Sequence, residues 1–213
     1  MEGELPFRDR AQAGTALIAP LIALGPRDPL VLAVPRGGIP VARILADHLD
    51  APLDVIVVRK VGAPSNPELA IGAVGTVGEP VVDADLVARL HIGRDYLERE
   101  IADQRAEALR RQAALRGDGP PTPRWDGDVV VVDDGIATGR TAEAAARLLR
   151  PGTGGRLLLA VPVAPRAGVE RMQTVFDEVA CPYTPEPYYA VGQWYEDFRQ
   201  VEEDEARSLL TRG

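Results

Sequence analysis

The residues best placed to do chemistry lie in one unbroken stretch: Val129-Val130-Val131-Val132-Asp133-Asp134-Gly135-Ile136-Ala137-Thr138-Gly139-Arg140-Thr141. Four consecutive valines predict a strand buried on both faces. Two adjacent carboxylates end it, a turn of small residues follows, and a helix begins at once. In an open α/β sheet such a turn lies at the carboxyl edge, where ligands bind. Its N–H groups and the helix N-terminus make a nest for phosphate. Thr138 and Thr141 add hydroxyl donors, and Gly139 allows close backbone approach. The carboxylates of Asp133 and Asp134 would repel a bare phosphate. They suit a ligand with hydroxyls beside its phosphate, such as a ribose 5-phosphate.

Other readings of this stretch fail on the rest of the chain. An apolar run ending in acids also describes a Walker B strand, which needs a G-x-x-x-x-G-K-[ST] loop. The only lysine, Lys60, follows Arg59 instead. A dinucleotide fold needs G-x-G-x-x-G after a strand, and no such string occurs. A plain strand–turn–helix with solvated acids is the bland alternative, and a chance match over all thirteen positions is rare.

The surrounding elements must hold this turn. Strand-like and helix-like stretches alternate, which predicts an α/β fold: an open, mostly parallel twisted sheet with helices on both faces. Residues 8–24 read as a lead-in helix ended by Gly25-Pro26. Residues 30–34 form a short strand, followed by Pro35-Arg36-Gly37-Gly38 and a helix over 39–49. A second strand covers 54–58 and ends in Arg59-Lys60. Residues 61–79 are rich in Gly and Pro and read as a long loop, with a strand near 70–74 hairpinned onto 80–83. A charged amphipathic helix spans 93–116, and 117–124 is a Pro/Gly connector. Later come a helix over 139–150, a strand over 155–163, a helix over 165–175 and a short strand over 178–181. Six of the ten aromatic residues then crowd into positions 183–198, and an acidic run leads into a final short helix.

Length and composition bound the function. The 213 residues suit a single domain, with a core over 1–60 and 80–181, a lid over 61–79 and a hood over 182–213. No apolar run reaches the ~20 residues of a membrane span, and no secretory leader pattern is visible. The expected compartment is the cytoplasm. One cysteine, Cys181, excludes an internal disulfide framework. His48 and His91 lie far apart and form no metal-ligand pair. A net charge of −8 disfavours general nucleic-acid binding. All the cationic residues except Lys60 are arginine, which marks a compositional bias, so an arginine is informative only by position.

The segment from Val129 to Thr141 resembles the phosphoribosyl diphosphate (PRPP) motif of type I phosphoribosyltransferases: four apolar residues, two acids, two variable positions, a small residue, then Thr-Gly-x-Thr. The resemblance runs from about Leu30 to Phe198. It implies that Ala137, Thr138, Gly139, Arg140 and Thr141 hold the 5-phosphate. Asp133 and Asp134 then take the ribose hydroxyls, directly or through metal-bound water. Val34-Pro35-Arg36-Gly37-Gly38 corresponds to the diphosphate loop, with Gly37 and Gly38 freeing the backbone and Arg36 supplying charge. Lys60 corresponds in place to a basic residue that meets diphosphate oxygens, and 61–79 to a mobile catalytic lid.

The implied reaction is transfer of 5-phosphoribosyl from PRPP to a nitrogenous base or related nucleophile, with Mg2+ as cofactor. Arg36 and Lys60 would stabilise the leaving diphosphate, and no general base stands out. Ala137 occupies the place of an Asp in 6-oxopurine enzymes, which weighs against hypoxanthine, guanine or xanthine. Trp194 and Tyr195 are the hood candidates for stacking on a flat acceptor; packing within the hood is the competing role. The chain also resembles a subgroup without a settled substrate, through Arg59-Lys60-Val61-Gly62, Asn66-Pro67-Glu68-Leu69-Ala70-Ile71-Gly72-Ala73 and residues 191–198. The resemblance allows a homodimer. A PRPP- or nucleotide-sensing regulator without turnover is the alternative function.

Overall fold

The computed structural model describes residues 5–116 and 125–211, so the expected connector over 117–124 lies outside the described residues. Helix α1 covers Arg10–Ala23, β1 Leu30–Ala33, α2 Gly38–Leu49 and β2 Leu53–Val55. Strands β3 (Val58–Ala63), β4 (Asn66–Gly75) and β5 (Val81–Val82) follow, then α3 (Ala84–Arg89) and α4 (Arg94–Arg116). The second half comprises β6 (Val129–Val132), α5 (Arg140–Leu149), β7 (Leu157–Ala160), α6 (Arg166–Met172), β8 (Glu178–Ala180) and α7 (Glu203–Thr211).

The main sheet has five parallel strands in the order β2-β1-β6-β7-β8. Every residue of β1, β6 and β7 is buried, which is why these strands read as unbroken apolar runs. The pleat divides them between two layers. Val31, Ala33, Val130 and Val132 face α1, α2 and α7, packing on Leu17, Leu21, Val41 and Leu45. Leu30, Leu32, Val129 and Val131 face α5 and α6, packing on Ala145, Ala146, Met172 and Phe176. The expected open sheet with helices on both faces is therefore present. Among the described residues no helix is long and apolar enough to cross a membrane.

Two expectations change. The second core strand stops at Val55, so Arg59 and Lys60 do not end it. The chain leaves the sheet after Ile56, whose N–H reaches Ala33 O at 3.0 Å, and Val58 starts a separate antiparallel sheet, β3-β4-β5. Nor is 61–79 mainly loop, because most of it belongs to β3 and β4. The cause is a local core that the Gly and Pro content obscures. Val61, Ala63, Ile71 and Val74 pack on Leu86, Val87, Tyr96 and Leu97 of α3 and α4. The Tyr96 hydroxyl donates to Gly62 O at 3.0 Å.

The hood gathers its aromatic rings around the N-terminal segment. Phe7 lies 5.4 Å from both the Tyr183 and Tyr195 rings, and its N–H donates to Trp194 O at 2.8 Å. The first described residues and the tail thus share one apolar cluster with Val163, just past the end of β7.

At the amino end of the sheet, Asp128 is 4% exposed and accepts from the N–H groups of Arg27 (2.9 Å) and Arg156 (2.8 Å) and from the Arg156 guanidinium (2.7 Å). Burial opposes its ionisation. The Arg156 guanidinium and the two N–H donors outweigh that and hold the carboxyl below its usual range. Asp128→Asn is expected to cost about 1–3 kcal/mol of stability at pH 7. Because the folded pKa is depressed, that difference should close as pH falls from about 4 through the folded value. Denaturant melts of parent and variant across pH check this.

Candidate active site

The carboxyl ends of β1 and β6 open into one cleft of about 600 Å3, lined among others by Arg36, Gly37, Asp133, Asp134, Thr141 and Phe198. Two turns build it. After β6, residues 133–139 lead into α5, which has no side-chain cap at its N-terminus, so its first N–H groups are left for a ligand. Gly139 caps that helix with φ +68°, and a Cβ there would lie 2.9 Å from Met172 Cε. After β1, residues 34–37 lead into α2, and the Pro35–Arg36 peptide is cis. Gly37 packs so closely on the Asp134 carboxylate that a side chain would collide with it. A Cβ on Gly38 would stand 2.6 Å from Val132 O. These two glycines let the turns touch.

The carboxylates are unequal. Asp134 is buried and accepts from Arg10 Nε at 2.8 Å. Its carbonyl accepts from the buried Tyr195 hydroxyl at 2.5 Å. Asp133 keeps an open edge and accepts the Asp134 N–H at 2.9 Å. Burial and the neighbouring Asp134 charge push Asp133 well above the ordinary carboxylate range. Burial raises Asp134 as well, against the pull of Arg10. Burial raises the Tyr195 phenol, so it remains a donor. Arg36 is half-buried; its carbonyl accepts from the Ile39 N–H at 3.2 Å, but its guanidinium makes no hydrogen bond or ion pair among the described residues. Its guanidinium is available to an anion.

Thr138, Arg140 and Ala137 lie exposed around the α5 N-terminus, with Thr141 at the cleft wall. The Arg171 guanidinium donates to Thr138 O and braces that turn from α6. Lys60 is elsewhere. It projects from the β3-β4 hairpin, pairs with Glu68 at 2.7 Å and does not line the cleft. Arg59 donates to Gln104 at 2.9 Å. Trp194 packs on Tyr188 with centroids 5.9 Å apart, and Tyr195 is 6% exposed between Phe7 and Phe198. Neither ring lines the cleft; both pack within the hood, the competing role, with Phe7 against Tyr195. The ring that borders the cleft is Phe198.

Sequence reasoning also missed Arg10. Its guanidinium carbon lies 4.2 Å from the Phe198 ring centroid, and Nη1 donates to Arg199 O at 2.9 Å. An arginine-biased composition hid it, and its partner stands 124 positions away. Cys181 is inert, its thiol pushed up to about 12 by burial. His48 and His91 are exposed and lie outside the cleft.

Residues 8–193 match the phosphoribosyl transferase domain, and the chain belongs to that family. It is 42% identical over 207 residues to Rv0571c, a Mycobacterium tuberculosis protein provisionally named a phosphoribosyl transferase. The alignment covers 97% of this chain and 47% of the relative, so the chain spans about half the length of the curated relatives it matches. The crystal structure of TT1426 from Thermus thermophilus is 42% identical. It superposes with a TM-score of 0.83, covering 97% of this chain and 98% of the other.

The raised Asp133 gives a stability test. A carboxyl with a folded pKa above its unfolded value of about 3.9 costs stability above the folded pKa and none below the unfolded one. Asp133→Asn keeps an oxygen for the Asp134 N–H and removes the charge. It should melt higher than the parent at pH 7, with the gain vanishing near pH 3. Calorimetric melts at the two pH values check this.

Proposed function

We propose that this cleft binds PRPP and, with Mg2+, transfers its 5-phosphoribosyl group to a nitrogen of a heterocyclic base or related nucleophile. The observation that carries the reading is the single cleft shared by the Asp133–Asp134 pair, Thr141, the 35–37 turn and the unpaired Arg36. The N–H groups at the start of α5 and the Thr141 hydroxyl receive the 5-phosphate. Asp133, with its open edge, accepts from the ribose hydroxyls. Asp134, already bonded to Arg10, holds the turn in shape. Arg36 meets the diphosphate.

In the reaction, the C1–O bond to diphosphate breaks and its electron pair leaves on oxygen. A bond forms from C1 to the acceptor nitrogen, and the acceptor's N–H proton passes to solvent. Negative charge grows on the leaving group, so fixed cations and N–H dipoles stabilise the transition state more than the ground state. Asp133 and Asp134 offer oxygen donors only, and among the described residues no group of three ligand side chains forms a protein cage. That donor set fits Mg2+, which keeps waters and substrate oxygens in its shell. When bound, the ion would neutralise charge on the diphosphate. The β3-β4-β5 sheet stands beside the cleft as the element to exclude water from the ribose cation. Phe198 and Val201 supply apolar lining at the hood end of the cleft.

Calorimetric titration with PRPP and Mg2+, followed by diphosphate-release assays over a panel of free bases, tests the reading. The parent should bind PRPP. Asp133→Asn should weaken it about tenfold or more, since a hydrogen bond to a charged group contributes about 1.5–3 kcal/mol. Gly139→Val should abolish binding by forcing a side chain into a positive-φ turn. Folded variants that bind PRPP like the parent would sink the assignment. Binding without release of diphosphate for any base would support a sensor in place of an enzyme.

A further inference from the structure

The cleft does not end at Arg36. A second space of about 440 Å3 shares Val34, Pro35, Arg36, Val58 and Thr141 with it and continues to α4. Its far wall carries Arg110, Arg111, Ala114 and Leu115. Phe198, Gln200 and Val201 of the hood border only the first space, and the α4 arginines border only the second. A nucleophile attacks C1 from the side opposite the leaving group. With the acceptor on the hood side, a leaving group would extend along the arm toward α4.

The arm is cationic. Arg110 donates to both oxygens of Glu107, from Nε at 2.7 Å and from Nη2 at 2.9 Å. Arg111 Nε donates to the same carboxylate at 2.7 Å. One carboxylate shared by two guanidiniums leaves a net positive charge and spare N–H donors on both. Among the described residues, Glu203 is the one acid that lines the arm, and it lies 3.5 Å from Arg207. The hydrogen bonds from Arg110 and Arg111 hold the Glu107 carboxyl at about 2, so it stays ionised. Lys60, committed to Glu68, lines neither space.

We propose that Arg110 and Arg111 of α4 bind the diphosphate end of the ligand, in place of Lys60. The inference rests on the PRPP reading of the cleft. Both arginines lie outside every motif that carries the family resemblance. Glu107, which accepts from both guanidiniums, competes with the incoming diphosphate for their N–H groups.

Titrations with PRPP, inorganic diphosphate and ribose 5-phosphate, each with Mg2+, test this on the folded full chain. The double variant Arg110→Gln/Arg111→Gln should weaken PRPP and diphosphate about tenfold or more while ribose 5-phosphate binds as before. Glu107→Gln should tighten diphosphate by releasing the guanidiniums. Arg89→Gln/Arg94→Gln, which removes equal charge away from both spaces, should leave all three ligands unaffected. The inference fails if the double variant keeps the parent's PRPP affinity, if ribose 5-phosphate weakens equally, or if the charge control has the same effect. It also fails if Lys60→Gln alone removes diphosphate binding. In those cases the parent still binds PRPP, and the reading of the cleft stands. A parent that binds neither PRPP nor ribose 5-phosphate overturns both.

Discussion

Two carboxylates, Asp133 and Asp134, stand side by side at the end of β6, beside the α5 N-terminus proposed to receive a phosphate. Like charges this close in a low-dielectric setting repel each other and any anionic ligand. The ion pair between Arg10 and Asp134 at 2.8 Å resolves the conflict. It removes one of the two charges and leaves Asp133 as the carboxylate with an edge toward the cleft. Much else follows from that pair. Arg10 sits in the first turn of α1, so the lead-in helix must dock beside β6. The same guanidinium covers Phe198 and bonds to Arg199 O, so the hood must close over it. Tyr195 completes the link through the Asp134 carbonyl. Lead-in helix, motif turn and hood are therefore one mechanical unit.

The second constraint is distance. Gly37 and Gly38 bring the turn after β1 against the turn after β6, at a separation that no side chain permits. The cleft formed there is asymmetric in charge. At its hood end the guanidinium of Arg10 is already matched by Asp134. From the unpaired Arg36 outward it is positive. A ligand with a sugar phosphate at its centre and a more highly charged group at one end has one favourable direction in such a field.

The core strands were legible because burial on both faces leaves continuous apolar runs, as in Val129–Val132. The motif turn was legible because small residues, threonines and paired acids are each needed for a separate reason. The pairing of residues 70–74 with 80–83 was legible and is present as β4-β5, but the β3-β4 hairpin was obscured. Its strands carry Gly62, Pro67, Gly72 and Gly75, which locally signal turns, and they find a core only in α3 and α4. Arg10 was illegible for a similar reason: nothing near it in sequence names Asp134 as its partner. Local sequence left stacking on a ligand and packing within the hood both open for Trp194 and Tyr195, because it does not reveal that Phe7 fills the space beside Tyr195.

The deciding measurement is a crystal structure of the protein soaked with PRPP and Mg2+. The 5-phosphate is expected at the N-terminus of α5, the ribose hydroxyls on Asp133 and the diphosphate against Arg36. A ligand bound in the reverse direction, with diphosphate at α5 and the 5-phosphate at Arg36, or bound outside this cleft, would contradict this placement.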